Sequence, residues 1–87
     1  MFDYYVLEDE EHKGYLIRQD PISLEEMFYD SDRCNWSECD IILKYMDLKN
    51  ENFGKYHLIN EKEAVVYINR LMFMKYFGNG FQNGVEV

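Results

Sequence analysis

The sequence predicts an α+β fold: one small domain over residues 1–87, built from an antiparallel four-stranded sheet and two helices in the order ββαββα. Three observations carry this expectation. Two pairs of short segments rich in Tyr, Val, Ile and Leu flank polar turns. Each pair is followed by a helix-start signal, at Asp20-Pro21 and at Asn60. The aromatic share is 17% in only 87 residues, enough large side chains to build a core without staples.

The elements are argued in order. Phe2 to Glu8 reads as a strand, although its apolar residues alternate poorly. The polar run from Asp9 to Gly14 reads as a hairpin loop, and Tyr15 to Arg18 as the return strand. Asp20 can cap free backbone N–H groups, and Pro21 suits the first helical position. Ser23 with Glu26 is a rival start with capping-box spacing. Either start predicts a short helix over Leu24 to Tyr29, with Leu24, Met27 and Phe28 as its apolar face. Residues 30–35 read as loop. Asp40 to Leu48 reads as a third strand, Lys49 to Asn52 as a turn, and Phe53 to Ile59 as a fourth strand. Asn60, with Glu63 three residues on, starts a last helix over Ala64 to Phe77, and Gly78 stops it. The tail, residues 79–87, is turn-rich and expected to be mobile. The caps at Asp20 and Asn60 share a 40-residue offset with Gly14 and Gly54, but too few residues are identical at that offset to make a sequence repeat.

On a helical wheel the last helix has two apolar faces. Ala64, Val65, Ile68, Leu71, Met72 and Tyr76 share one arc, wide enough to pack on a sheet. Val66, Phe73 and Phe77 form a second stripe, with Arg70 in its middle. One sheet cannot bury both. Either the first helix or the tail covers the second stripe, or it meets a partner or a second copy of the chain. Leu71 to Met74 also fits a strand, which would dissolve the stripe.

Charge is the strongest compositional signal. The net charge is −8. Residues 1–40 hold twelve acids and three bases, whereas residues 41–87 hold five acids and six bases. The acidic half repels a phosphate backbone, so direct nucleic-acid binding is not expected. It attracts a basic protein surface. Glu25, Glu26, Asp30, Asp32, Glu38 and Asp40 fall in one stretch with Arg33 as its sole base, and Tyr29 and Trp36 lie among them. Carboxylates so spaced can imitate nucleic-acid phosphates for Lys and Arg, with the two aromatic rings supplying contact area. The alternative is a solvated acidic surface that only keeps the protein soluble. In composition the chain is similar to small acidic, Tyr- and Asn-rich inhibitors of host defence nucleases encoded by phages, such as anti-CRISPR proteins. This is a resemblance to a class and implies no shared motif.

Sites for chemistry are not evident. Cys34 and Cys39 have the wrong spacing for the usual zinc pairs, and His12 and His57 fall in separate hairpins. Asp30-Ser31-Asp32 begins like a calcium loop, but Asn35 replaces the required Gly and Ile41 the required Glu. No phosphate loop, dinucleotide fingerprint or nucleophile elbow is present. His12 reads as a solvated loop residue, His57 as half-buried in a strand, and Cys39 as a small core residue. No apolar run approaches a membrane span, and the N-terminus is not a secretory signal. The expectation is therefore a cytoplasmic, non-enzymatic protein without metal or cofactor. It would bind a basic partner, such as a nuclease or a DNA- or RNA-binding protein, and inhibit it. The rival is a structural homodimer joined through Val66, Arg70, Phe73 and Phe77. A small-ligand binder is disfavoured because a phosphate ligand needs bases and the strip is acidic.

Overall fold

The computed structural model describes residues 1–78. The tail expectation, the helix stop expected at Gly78 and the side chain of Phe77 lie outside what it describes. The architecture is α+β, but the sheet has five strands and the helices fall elsewhere than expected. Strands β1 (Asp3–Leu7), β2 (Leu16–Gln19), β3 (Glu26–Asp30), β4 (Asn35–Cys39) and β5 (Tyr56–Ile59) form one antiparallel sheet in the order β4-β3-β2-β1-β5. The short helix α1 (Ile42–Met46) lies on one face of it. The longer helix α2 (Glu61–Phe73) lies on the other and continues as a π-helical turn over Met74–Gly78.

This two-sided covering explains the poor alternation of the first strand. Tyr5 and Leu7 point to the α1 side, where they pack with Ile17, Ile42 and Tyr45. Tyr4 and Val6 point to the α2 side, with Leu16 and Ala64. A strand buried on both faces carries apolar residues at successive positions. Burial is nearly complete on both sides, reaching 0% exposure at Ile17 and Ile42.

Two expected elements are corrected. Leu24 to Tyr29 is not a helix. Asp20 does accept bonds from the amides of Ile22 and Ser23, at 2.8 and 3.2 Å, as a cap would. The turn then closes on itself. Leu24 takes a left-handed φ of 64°, and the Asp20 amide donates to the Glu25 carbonyl at 2.9 Å. The chain reverses into β3, so Met27 and Phe28 point to opposite faces of a sheet instead of sharing one helix face. The second correction is the segment from Asp40 to Leu48. Ile42 and Tyr45, three apart, are its buried residues, and they make α1 rather than a strand. Residues 35–39, for which the sequence predicts no strand, form the edge strand β4.

The remaining elements stand close to expectation. Gly14, at φ 88°, closes the β1–β2 loop with its amide on the Leu7 carbonyl. Asn60 and Glu63 form a complete capping box, with bonds of 2.8 and 3.0 Å.

Candidate acidic interface

The structure divides the acidic stretch into two groups at opposite ends of the β3–β4 hairpin. In the pairing register Glu26 faces Cys39 and Asp30 faces Asn35. Four residue steps of strand, from Glu26 to Asp30, separate the groups, about 13 Å at the usual rise.

At the hairpin tip the charges are already matched. Asp30 accepts bonds from the amides of Asp32 and Arg33, at 3.0 and 3.3 Å, and lies 3.8 Å from the Arg33 guanidinium. Lys75, on the π-helical turn, donates to Asp32 at 2.6 Å. That bond holds the Asp32 carboxyl below the usual carboxylate range and raises the Lys75 ammonium. Beside it Cys34 Sγ lies 3.2 Å from the Tyr76 hydroxyl. Sequence reasoning missed Lys75, which is 43 residues away and reaches the tip only because α2 crosses the sheet.

Tyr29 and Trp36 are cross-strand partners, and both face α2. Their rings meet edge-on at 5.4 Å, and the Tyr29 hydroxyl donates to Met72 Sδ at 3.4 Å. The Arg18 guanidinium stacks over both Trp36 and Phe2, at 4.5 and 4.4 Å from the ring centroids. These rings are largely engaged within the molecule.

At the other end Glu25, Glu38 and Asp40 are exposed, and Glu26 is not. The Glu26 carboxylate turns under α1. Its Oε1 accepts from the amides of Ile41 and Ile42, at 2.6 and 3.0 Å, and from Cys39 Sγ at 3.4 Å. Ile41 has no side chain able to cap its own helix, and Glu26 satisfies those amides from β3. Burial, followed by the adjacent Glu26 carboxylate, pushes the Cys39 thiol up to about 12. Glu26 thus belongs to the internal structure and drops out of the surface strip.

The three exposed carboxylates edge a recess of about 290 Å³ beside α1. Leu24 and Leu43, each 59% exposed, contribute its apolar lining, and no base among the described residues lines it. Sequence reasoning did not find these leucines as surface residues. It placed Leu24 on a helix face and Leu43 in a strand, and the positive φ of Leu24 leaves no mark in the sequence.

The second stripe of α2 faces outward at its described positions. Val66 and Phe73 are 57% and 61% exposed, and Arg70 is exposed beside them. Tyr67, next to Val66, packs toward the sheet, and its hydroxyl donates to the Gly14 carbonyl. Val65, placed on the buried arc, is 53% exposed.

One trio of metal-ligating type occurs among the described residues. Ligand atoms of Asp9, Glu11 and His12 lie within 4.8 Å of one another. Asp9 is buried, and its Oδ1 accepts from the Tyr45 hydroxyl at 2.6 Å. His12 Nδ1 lies 3.3 Å from Asp9 Oδ2 and 3.2 Å from the Tyr45 oxygen. Burial pushes the Asp9 carboxyl up, but the bonds from Tyr45, His12 and the backbone outweigh it and leave it below the ordinary value. The geometry is that of a bonded knot joining the β1–β2 loop to α1. His12 is therefore part of that knot rather than a solvated loop residue. His57 is exposed on β5, 2.8 Å from Glu8. No helix among the described residues is long and apolar enough to cross a membrane. Compared with known proteins, the chain matches no family model, no curated protein and no solved structure.

Proposed function

We propose that this protein is a non-enzymatic binding module that engages a basic protein surface through the recess at Glu25, Glu38 and Asp40. The observation that carries the reading is the lining of that recess: three exposed carboxylates around two exposed leucines, with no base among them. Carboxylates in this setting pair with Lys and Arg, and the leucines add area whose burial favours binding. A nucleic-acid channel offers a dense basic surface, so a nuclease or a DNA- or RNA-binding protein is the partner class that fits best. Occupying that channel would inhibit it. Asp30 and Asp32 take no direct part, because Arg33 and Lys75 already meet them.

The test is a competition. The tagged wild-type chain and a Glu25→Lys/Glu38→Lys variant are used as bait for basic nucleic-acid-binding proteins at low and high salt, with double-stranded DNA as competitor. A partner held by the wild type, lost by the variant and displaced by DNA supports the reading. A partner held equally by both baits overturns it.

A second reading is self-association, favoured by the exposure of Val66 and Phe73 on α2. Sedimentation of the wild type and of a Val66→Glu variant over a range of concentrations tests it. A wild type that stays monomeric throughout rules it out.

A further inference from the structure

The bases of this acidic protein are not evenly spread. A pocket of about 660 Å³ lies between α2 and the β1–β5 side of the sheet, closed at one end by the β1–β2 loop. That volume falls within the roughly 300–1,000 Å³ of small-molecule sites. Val6, Ile59, Val66 and Tyr67 supply an apolar floor and wall. Lys13, Lys62 and Arg70 reach it from three places: the loop, the first turn of α2 and the second turn beyond. All three are exposed, and their charged groups make no ion pair or side-chain hydrogen bond among the described residues. The two acids in the lining are engaged. Glu8 bonds His57 at 2.8 Å, and Glu63 accepts from the Asn60 amide. Tyr67 ties the wall together through its bond to the Gly14 carbonyl. A third of the chain's nine bases thus line one largely apolar cavity with their charged groups unpaired among the described residues.

We infer that this pocket binds a nucleoside polyphosphate, with its ring system on Val6, Ile59, Val66 and Tyr67 and its phosphates between Lys13, Lys62 and Arg70. Three separate cations suit a chain of charged groups better than a single phosphate, and each charge-assisted contact is of the strong kind. The apolar wall separates this ligand from a bare polyanion. The site lies on the opposite helix from the acidic recess and does not depend on it. Charge repulsion from the acidic half does not reach it unscreened at physiological salt, where fields decay over about 8 Å.

The probe is ATP, titrated into the isotope-labelled full chain and followed by amide chemical shifts, with adenosine and inorganic tripolyphosphate as comparisons. ATP should perturb the amides of Lys13, Gly14, Val66, Tyr67 and Arg70. Arg70→Ala and Lys62→Ala should each weaken ATP by about tenfold. Glu25→Lys, in the recess, should leave ATP binding unchanged. Adenosine and tripolyphosphate should each bind at least about tenfold more weakly than ATP. Tripolyphosphate as tight as ATP would mean a mere cationic patch and overturn the proposal. So would ATP shifts centred elsewhere, an Arg70→Ala variant that binds as the wild type does, or no shift at about 5 mM ATP, a concentration that detects even weak binding.

Discussion

Glu26 and Glu25 are neighbours in sequence with opposite fates. One carboxylate accepts two helix amides and a thiol under α1, and the other stands in solvent at the edge of the recess. Removing the first leaves buried backbone donors unmatched. Glu26→Ala should therefore cost about 2 kcal/mol in urea denaturation, while Glu25→Ala should stay within about 0.5 kcal/mol of wild type. The same carboxylate governs a cysteine. With its thiol pushed up to about 12, Cys39 carries far less thiolate at pH 8 than an ordinary cysteine. Iodoacetamide followed by peptide mapping should find exposed Cys34 alkylated first and Cys39 markedly more slowly. Equal rates at both cysteines would contradict the buried Cys39–Glu26 contact.

At the scale of elements, α1 is held by contacts from outside itself. Five residues are too few for a helix to persist alone. Glu26 meets its first amides, Tyr45 bonds Asp9 in the β1–β2 loop, and the Gly54 amide donates to the Tyr45 carbonyl at 2.9 Å. The Asp9 carboxyl is depressed in the folded state, so its contribution is present above the usual carboxylate range and is lost as pH falls through the lowered value. Asp9→Asn should reduce stability at pH 7 and flatten the acid limb of the stability curve. An unchanged acid limb would show that another group controls it. Helix α2 has its own local start. Asn60→Ala removes half of the capping box and should cost about 1 kcal/mol, measured by thermal or urea unfolding.

Over the whole molecule, folding sorts the charges that the chain lists in one run. Lys75 and Arg33 meet the acids at the β3–β4 tip, Glu26 goes inside, and Glu25, Glu38 and Asp40 remain as an acidic surface. Lys13, Lys62 and Arg70 collect at the other helix. A net charge of −8 therefore describes neither surface. If the recess carries the proposed binding, affinity should fall steeply with added salt and the slope should shrink in the Glu25→Lys/Glu38→Lys variant. A salt slope equal in the two would place the contact elsewhere.

The α+β class, the β1–β2 hairpin with Gly14 in its loop, the turn at residues 49–52 and the capped start of α2 were legible in the sequence, because each rests on interactions between residues a few positions apart. The helix expected over Leu24 to Tyr29 and the strand expected over Asp40 to Leu48 were not. Both are short apolar runs whose periodicity fits helix and strand alike, and the choice fell to the sheet. In the sheet Phe28 packs on the α1-side core while Met27 turns to the other face, where its Sδ accepts from Arg18, and Ile42 with Tyr45 closes the side that β1 and β2 leave open. The candidate sites divide in the same way. The excess of acids in residues 1–40 is a property of the chain alone. Which acids stay exposed, and which bases share a pocket, depends on contacts tens of residues apart, such as Lys75 with Asp32 and Tyr67 with Gly14, and only the packed sheet and helices bring those groups together.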